Sequence, residues 1–353
     1  MPSLRDVARL AGASVSTASK VLNTGTELDR ISEECARRVR RAARKLGYRR
    51  NYHARSLLTG RAHTIGVSLQ IEPGTNVLGD AYWGTLIGGV EAHARGHGYE
   101  VLLVGPTAGE MAAERGLEHA HGRRLDGLIN MGWIDPRIVR CAERADVPVV
   151  LVNSELRTSL PVIELDDRAG IHAVVRHLVE LGHRELLWLG PRQDWPKTPA
   201  LRRDAFTKAL RESGAHGRSC TFSFRPGTRD GQKLIESGER ALAARLGDGR
   251  AFTAVVCYND VTAVGAYRAA RAAGLRIPDD LSVTGFDDAY GTYFCPGLTT
   301  VSHMFETGHR ASILVLEMCE NPDQRRLRKG YRERVVPQLV VRGSTGQPGR
   351  RNQ

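Results

Sequence analysis

No apolar run in this chain approaches the roughly 18–20 residues of a membrane-spanning helix, which excludes a helical span. The first ten residues, MPSLRDVARL, lack the apolar core of a signal peptide, so secretion is not expected. Cysteine is scarce and scattered. Cys35, Cys141, Cys220, Cys257, Cys295 and Cys319 form no CxxC pair, and in a chain this long they read as free thiols of a reducing cytosol. Catalytic signatures are missing too: there is no GxSxG, HExxH, P-loop or GxGxxG. His93 and His97 have the spacing of a metal pair on a helix. With no acidic or sulfur ligand beside them, surface histidines are the better reading, and His119 with His121 is no stronger. An enzyme therefore has no site here, and neither a cofactor nor a metal is expected. Lysine is scarce as well, six of 51 basic residues, so arginine carries the positive charge.

The 353 residues suggest two or three domains at roughly 100–200 residues each. A hydrophobic share of 41% suffices for real cores. The net charge of +12 is unevenly placed. Residues 1–61 hold 14 Lys and Arg against five Asp and Glu, while the remaining 292 hold 37 against 34. A basic head on a nearly neutral body points to nucleic acid for the head and another partner for the body. A solvated arginine-rich tail would give the same count. The head, however, alternates apolar and basic residues on a repeat near 3.6, as packed helices do.

Ser3 is placed to cap a helix over residues 4–11, with Asp6 at its third position and Leu4, Val7, Ala8 and Ala11 on one face. Gly12 suits the left-handed residue that ends it. Ser14 then caps a second helix over 15–22, so the pair reads as a helix-turn-helix. A third helix begins at Ser32, with Cys35, Val39, Ala42, Ala43 and Leu46 inward and Arg37, Arg38, Arg40, Arg41, Arg44 and Lys45 outward. So few small apolar side chains make a core that is marginal on its own.

The wording is more specific than the pattern. Residues 6–23 read DVARLAGASVSTASKVLN, 31–34 ISEE, 46–51 LGYRRN, 54–61 ARSLLTGR and 64–67 TIGV. Further on, 178–183 read LVELGH, 257–260 CYND, 274–288 GLRIPDDLSVTGFDD and 296–301 PGLTTV. Together, from residue 3 to about 343, these resemble the LacI/GalR family of bacterial transcription regulators. The resemblance implies that the second helix lies in the major groove, with Val15, Ser16 and Lys20 at base-reading positions. Ser14, Thr17 and Ser19 match capping and phosphate-contacting positions, and Asn23 closes the set. The chemistry agrees: Lys20 reaches guanine O6 and N7, Ser16 bonds several bases, and Val15 touches a thymine methyl. Residues 51–61 resemble the family's hinge helix, which orders on DNA; alone it is too short to be stable. There Leu57 matches a leucine that wedges between base pairs, and Ala54 and Arg55 match its flanking contacts. A plain linker with one exposed leucine is the alternative. Two departures stand out: Arg50 replaces the family's proline, and the segment 23–31 is longer than usual, bringing Arg30 near phosphates.

From residue 64 short apolar runs alternate with helical stretches: 64–70, 99–104, 127–131, 148–152, 162–165, 185–189, 221–224, 254–257, 282–285 and 334–341. Such alternation predicts parallel sheets covered by helices, with a ligand at the strand ends between two units. The resemblance implies a periplasmic-binding-protein-like body of two α/β lobes. The expected division is a helix-turn-helix domain at 1–50, a hinge helix at 51–61, and an effector-binding and dimerisation domain at 62–343. Lobe one is placed at about 62–158 and 290–320, lobe two at about 159–289 and 321–343, with a disordered tail at 344–353.

For the effector, the resemblance points to Asp287, Asn259 and Arg202, with Arg203 as fallback because residues 190–202 run about two longer than the pattern. Acceptor, amide and fork donor together suit a polyol. Tyr82 and Trp83 match cleft-lining positions, and Trp133 and Tyr290 are further aromatic candidates. Core packing is the competing reading for each aromatic, and a structural ion pair for Asp287 and Arg202. The expectation is a cytoplasmic, nucleoid-associated repressor of carbohydrate-use genes: a homodimer on a near-palindromic DNA operator, switched by a sugar or sugar derivative, with no membrane partner. The other reading is a cytoplasmic sugar-binding or sugar-modifying protein with an incidental basic head.

Overall fold

The computed structural model describes residues 2–23, 31–48, 60–69, 79–106, 111–132, 134–144, 147–192, 198–223, 231–248 and 251–349. Its head is three helices: α1 (Leu4–Ala11), α2 (Val15–Asn23) and α3 (Glu33–Leu46). Local chemistry sets their ends. The Asp6 amide donates to Ser3 Oγ at 3.3 Å, and the Ser3 amide donates back to the Asp6 carboxylate at 2.9 Å, closing a capping box. Gly12, at φ 60°, ends α1 in the left-handed region that a side chain disfavours. Ser14 and Ser32 cap α2 and α3, accepting from Thr17 N and Cys35 N. The core is Val7, Ala8, Ala11, Ala18, Val21, Ala36, Val39, Ala42 and Ala43. Ala36 takes the inward place expected of Cys35, which is half-buried.

The body follows as β1 (Thr64–Leu69), α4 (Ala81–Gly96), β2 (Glu100–Val104), α5 (Ala112–His121), β3 (Gly127–Met131), α6 (Pro136–Arg144), β4 (Val149–Val152) and β5 (Val162–Leu165). Then come α7 (Asp167–Glu180), β6 (Glu185–Pro191), α8 (Thr198–Ser213), β7 (His216–Phe222), α9 (Gly231–Gly247), β8 (Ala254–Cys257), α10 (Asp260–Ala272) and β9 (Ser282–Thr284). The chain closes with β10 (Thr300–Ser302), α11 (Met304–Glu320), α12 (Pro322–Leu327), β11 (Arg332–Val335) and β12 (Gln338–Val340).

Two parallel sheets form. The first runs β11-β5-β4-β3-β1-β2, the second β7-β6-β8-β9, and β10 pairs antiparallel with β12. Each parallel sheet has a core on both faces, which is why its strands read as continuous apolar runs. On the first sheet α4 and α11 touch backbone to backbone. A Cβ on Gly308 would stand 1.9 Å from the Leu86 carbonyl oxygen, and one on Gly89 2.1 Å from that of Phe305.

Several boundaries differ from the sequence expectation. β5 and β11 join the first sheet, so residues 162–165 and 332–335 leave lobe two. Residues 299–302 leave lobe one: Thr299 bridges Thr284, and β10 pairs with β12. The chain therefore crosses between lobes after Leu165, after Ser302 and after Val335. The seventh strand lies at 216–222 rather than 221–224, and Pro337, which has no amide hydrogen, splits the expected 334–341 strand in two. Nor is the start of the tail disordered. Ser344 is fully buried, accepting from the Thr299 amide at 2.8 Å and donating to Val283 O at 2.6 Å. His183 Nε2 meets Gly346 O at 2.9 Å. Polar staples hold this segment without the apolar side chains that a sequence reading looks for.

Candidate DNA-reading face and interlobe site

On α2 the sides divide as helical spacing demands. Ala18 and Val21 are buried, Val15 is 44% exposed, and Ser16 and Lys20 are exposed. Thr17 and Ser19 are half-buried on the flank. Ser14 Oγ is engaged twice, by the Thr17 amide at 3.0 Å and the Thr17 hydroxyl at 2.8 Å. That arrangement fixes the start of the helix and so the direction of Val15 and Ser16. Asn23 is the last residue of α2. The hinge candidates Ala54, Arg55 and Leu57 lie outside the described residues, as do Arg30, Arg50 and Trp133.

The body places its site where the crossovers meet the strand ends. Arg202, 4% exposed on α8, is the hub. Its Nε donates to Asp167 Oδ1 at 2.6 Å, Nη1 to the Tyr258 carbonyl at 2.8 Å, and Nη2 to Asp287 Oδ1 at 3.3 Å. The guanidinium lies 3.7 Å from the Phe286 ring centroid and 5.0 Å from that of Tyr258. Burial opposes its charge, but Asp167 and then Asp287 outweigh that, so its pKa is raised and it stays protonated. Asp287 sits at φ 101°, a strained conformation for a residue with a side chain, held by its backbone N–H, which donates to Val301 O at 2.9 Å. Its Oδ1 also faces His303 Nε2 at 3.2 Å. His303 precedes α11 on the first lobe, so this contact spans the crossover. Tyr82 stands edge-on to the same imidazole, ring centroids 6.4 Å apart.

Beneath lies Asp260, 1% exposed, taking the Thr300 hydroxyl at 2.6 Å and the Tyr290 amide at 3.1 Å. Burial pushes its pKa up to about 7; the Thr300 hydrogen bond opposes this, and the nearby negative Asp287 adds to it. Asp288 is taken by Arg342 at 2.7 Å.

Of the candidate residues, the structure brings together Arg202, Asp287 and, beside His303, Tyr82. It does not bring Trp83: that ring is 3% exposed inside the first lobe's core, so packing replaces the expected cleft platform. Asn259 caps α10, its Oδ1 accepting from the Thr262 amide at 2.9 Å and hydroxyl at 2.8 Å. Asp167, Asp260 and His303 were missed. Asp260 could have been found, being the last residue of the CYND stretch. Asp167 had no signal, since its partner Arg202 lies 35 residues on.

The His93–His97 pair is hydrogen-bonded within the protein through its Nδ1 atoms. His93 Nδ1 lies 3.1 Å from Ser312 Oγ, His97 Nδ1 lies 3.0 Å from the His93 carbonyl, and His309 closes the cluster at 5.1 Å between centroids. Among the described residues no group of three His, Cys, Asp or Glu could hold a metal. Burial, then the charges of His97 and His309, pull the His93 pKa from 6.5 down to about 4. The unfolded chain therefore binds this proton first as pH falls. Stability present above pH 6.5 should be lost between 6.5 and about 4. Thermal melts across that window should show His93→Gln, which keeps a partner for Ser312, with a flatter acid limb than the parent. Parallel limbs would mean that His93 titrates normally.

Comparison with known proteins agrees with this architecture. Residues 3–51 match the family described as bacterial regulatory proteins, lacI family, and residues 175–345 match the periplasmic binding protein-like domain. The HTH-type transcriptional repressor CytR of Escherichia coli (strain K12) is 29% identical, over 97% of this chain and 96% of its own. The HTH-type transcriptional regulator GalR of the same strain is 31% identical, over 91% and 90%. The crystal structure of the lac repressor dimer bound to operator and the anti-inducer ONPF superposes with a TM-score of 0.74 at 25% identity, covering 98% of this chain and 99% of that one. The chain belongs to the lacI family of bacterial regulatory proteins: it is a DNA-binding transcriptional regulator with an effector-binding body, not an enzyme.

Proposed function

We propose that this regulator is a cytoplasmic homodimeric repressor of carbohydrate-use genes, reading a near-palindromic operator and switched by a sugar or sugar derivative held between its lobes. The observation that carries the DNA reading is the outer face of α2, where Val15, Ser16 and Lys20 stand exposed above a buried Ala18–Val21 face. Those three address base edges, while Ser14, Thr17, Ser19 and Asn23 address the backbone. Ala54, Arg55 and Leu57 serve the minor groove. In the body, Asp287 is the effector acceptor: among the described residues its Oδ1 has two protein donors and its Oδ2 none, leaving lone pairs for ligand hydroxyls. Arg202 acts one step back, holding Asp287, because it is buried and each of its three guanidinium nitrogens already donates to a protein acceptor. Tyr82 lines the site, and Asn259 shapes it through the α10 cap. The contact of Asp287 with His303 supports a switch, since a ligand binding there biases the arrangement of the two lobes.

The test is selection of preferred sites from random duplexes by the full chain, followed by titration of Lys20→Ala. The variant should lose about 1–3 kcal/mol on the selected site and relax its preference at one base pair. An equal loss on selected and random DNA would remove Lys20 from base reading.

A further inference from the structure

The outer face of α3 is unexplained by operator reading. Arg37, Arg38, Arg40, Arg41, Arg44 and Lys45 are all exposed, and no acidic residue lies between Cys35 and Leu46. Arg38 is engaged, donating to the Ala11 carbonyl at 3.2 Å with Glu34 at 3.9 Å. The other five have no ion-pair partner among the described residues. A helix face that merely faces water alternates signs, because opposite charges three or four apart stabilise it and like charges destabilise it. Here Arg37 and Arg41, and Arg40 and Arg44, are like pairs at that spacing, so the line is a local cost to the helix. Arg37, Arg41 and Arg44 fall on one line about 10 Å long at 1.5 Å per residue. That length matches about four successive phosphates of one strand, spaced about 3.4 Å along the axis.

The direction of this face decides which phosphates. Ala36, Val39, Ala42 and Ala43 bury the inner side of α3 against α1 and α2. Helices packed around one small core turn their outer sides away from one another, so a duplex seated on α2 does not also lie along α3. We propose that the outer face of α3 is a second DNA-binding surface, indifferent to sequence, that holds the phosphate backbone of a duplex other than the one on α2. The proposal rests on the head being a DNA-binding unit, not on which bases α2 reads. Such a surface tethers a second DNA segment to an occupied site.

The test uses the full chain and two short duplexes of random sequence, one fixed to beads and one fluorescent. Protein-loaded beads should capture the fluorescent duplex, less so as salt rises. Arg37→Gln/Arg41→Gln/Arg44→Gln should capture at least about ten-fold less, while binding the first duplex within two-fold of the parent. Arg37→Lys/Arg41→Lys/Arg44→Lys should capture like the parent, since a phosphate accepts a point charge. Arg40→Gln/Arg44→Gln, with the central line partly kept, should fall between. The proposal is overturned if the glutamine triple captures as well as the parent, for then the two heads of a dimer bridge the duplexes through α2. It is equally overturned if that triple loses the first duplex to the same extent, for then the face serves the same duplex, or if the lysine triple fails.

Discussion

Arg202→Met should destabilise the body by about 3–5 kcal/mol, because it strips the partner from charges already out of water. Asp167 and Asp287 have side chains 14% and 11% exposed, and both face the guanidinium. The methionine would fill much of the space over Phe286 and Tyr258, so packing alone should cost little. What remains is Asp167 and the Tyr258 carbonyl without the guanidinium, and Asp287 with His303 alone. Urea unfolding at pH 7, read as the shift in midpoint, measures the loss. Asp167→Asn/Asp287→Asn in the Arg202→Met background should recover a large part of it, since neutral amides need no counter-charge. A loss below about 1 kcal/mol would mean that water reaches both carboxylates.

Gly308→Ala should cost about 3 kcal/mol, the upper end for overpacking, although it adds one methyl group. The new carbon would stand 1.9 Å from the Leu86 carbonyl oxygen, which is backbone and cannot turn aside. α4 and α11 would have to part along a seam that includes Leu86, Val90, Met304, Ala311 and Val315. Gly88→Ala is the control. It lies on α4, the partner helix of the same seam, with nothing within 4 Å of the added carbon, and should stabilise by about 0.5–1 kcal/mol through lost chain entropy. Differential scanning calorimetry on both variants separates them by sign, and a neutral Gly308→Ala would refute the close approach.

The candidate site was legible only in part. Arg202 and Asp287 were found by their surroundings in the sequence, and both converge. The role of Arg202 was not legible, because whether a guanidinium faces a ligand or two carboxylates depends on side chains from three separate elements. Asp167 comes from the start of α7, Tyr258 from the end of β8, and Asp287 from the turn after β9. Trp83 shows the same limit in the apolar direction. Its place at the start of α4 is common to a core ring and a cleft ring, and only the neighbouring strands decided for the core.

The head and the strand-helix alternation of the body are written in local sequence. Capping residues, helix-ending glycines and a 3.6 repeat act over a few positions, so Ser3, Gly12, Ser14 and Ser32 could be read directly and were found in those roles. Where the pieces went depended on long-range packing. A four-residue apolar run such as 162–165 fits either parallel sheet equally, since every strand buried on both faces reads alike. Its assignment to the first sheet came from pairing with β4 and with β11, the latter some 170 residues away along the chain. The α4–α11 seam and the stapled tail at 344–349 follow the same rule. Each depends on backbone brought close by the fold, a contact that leaves no periodic trace in the sequence.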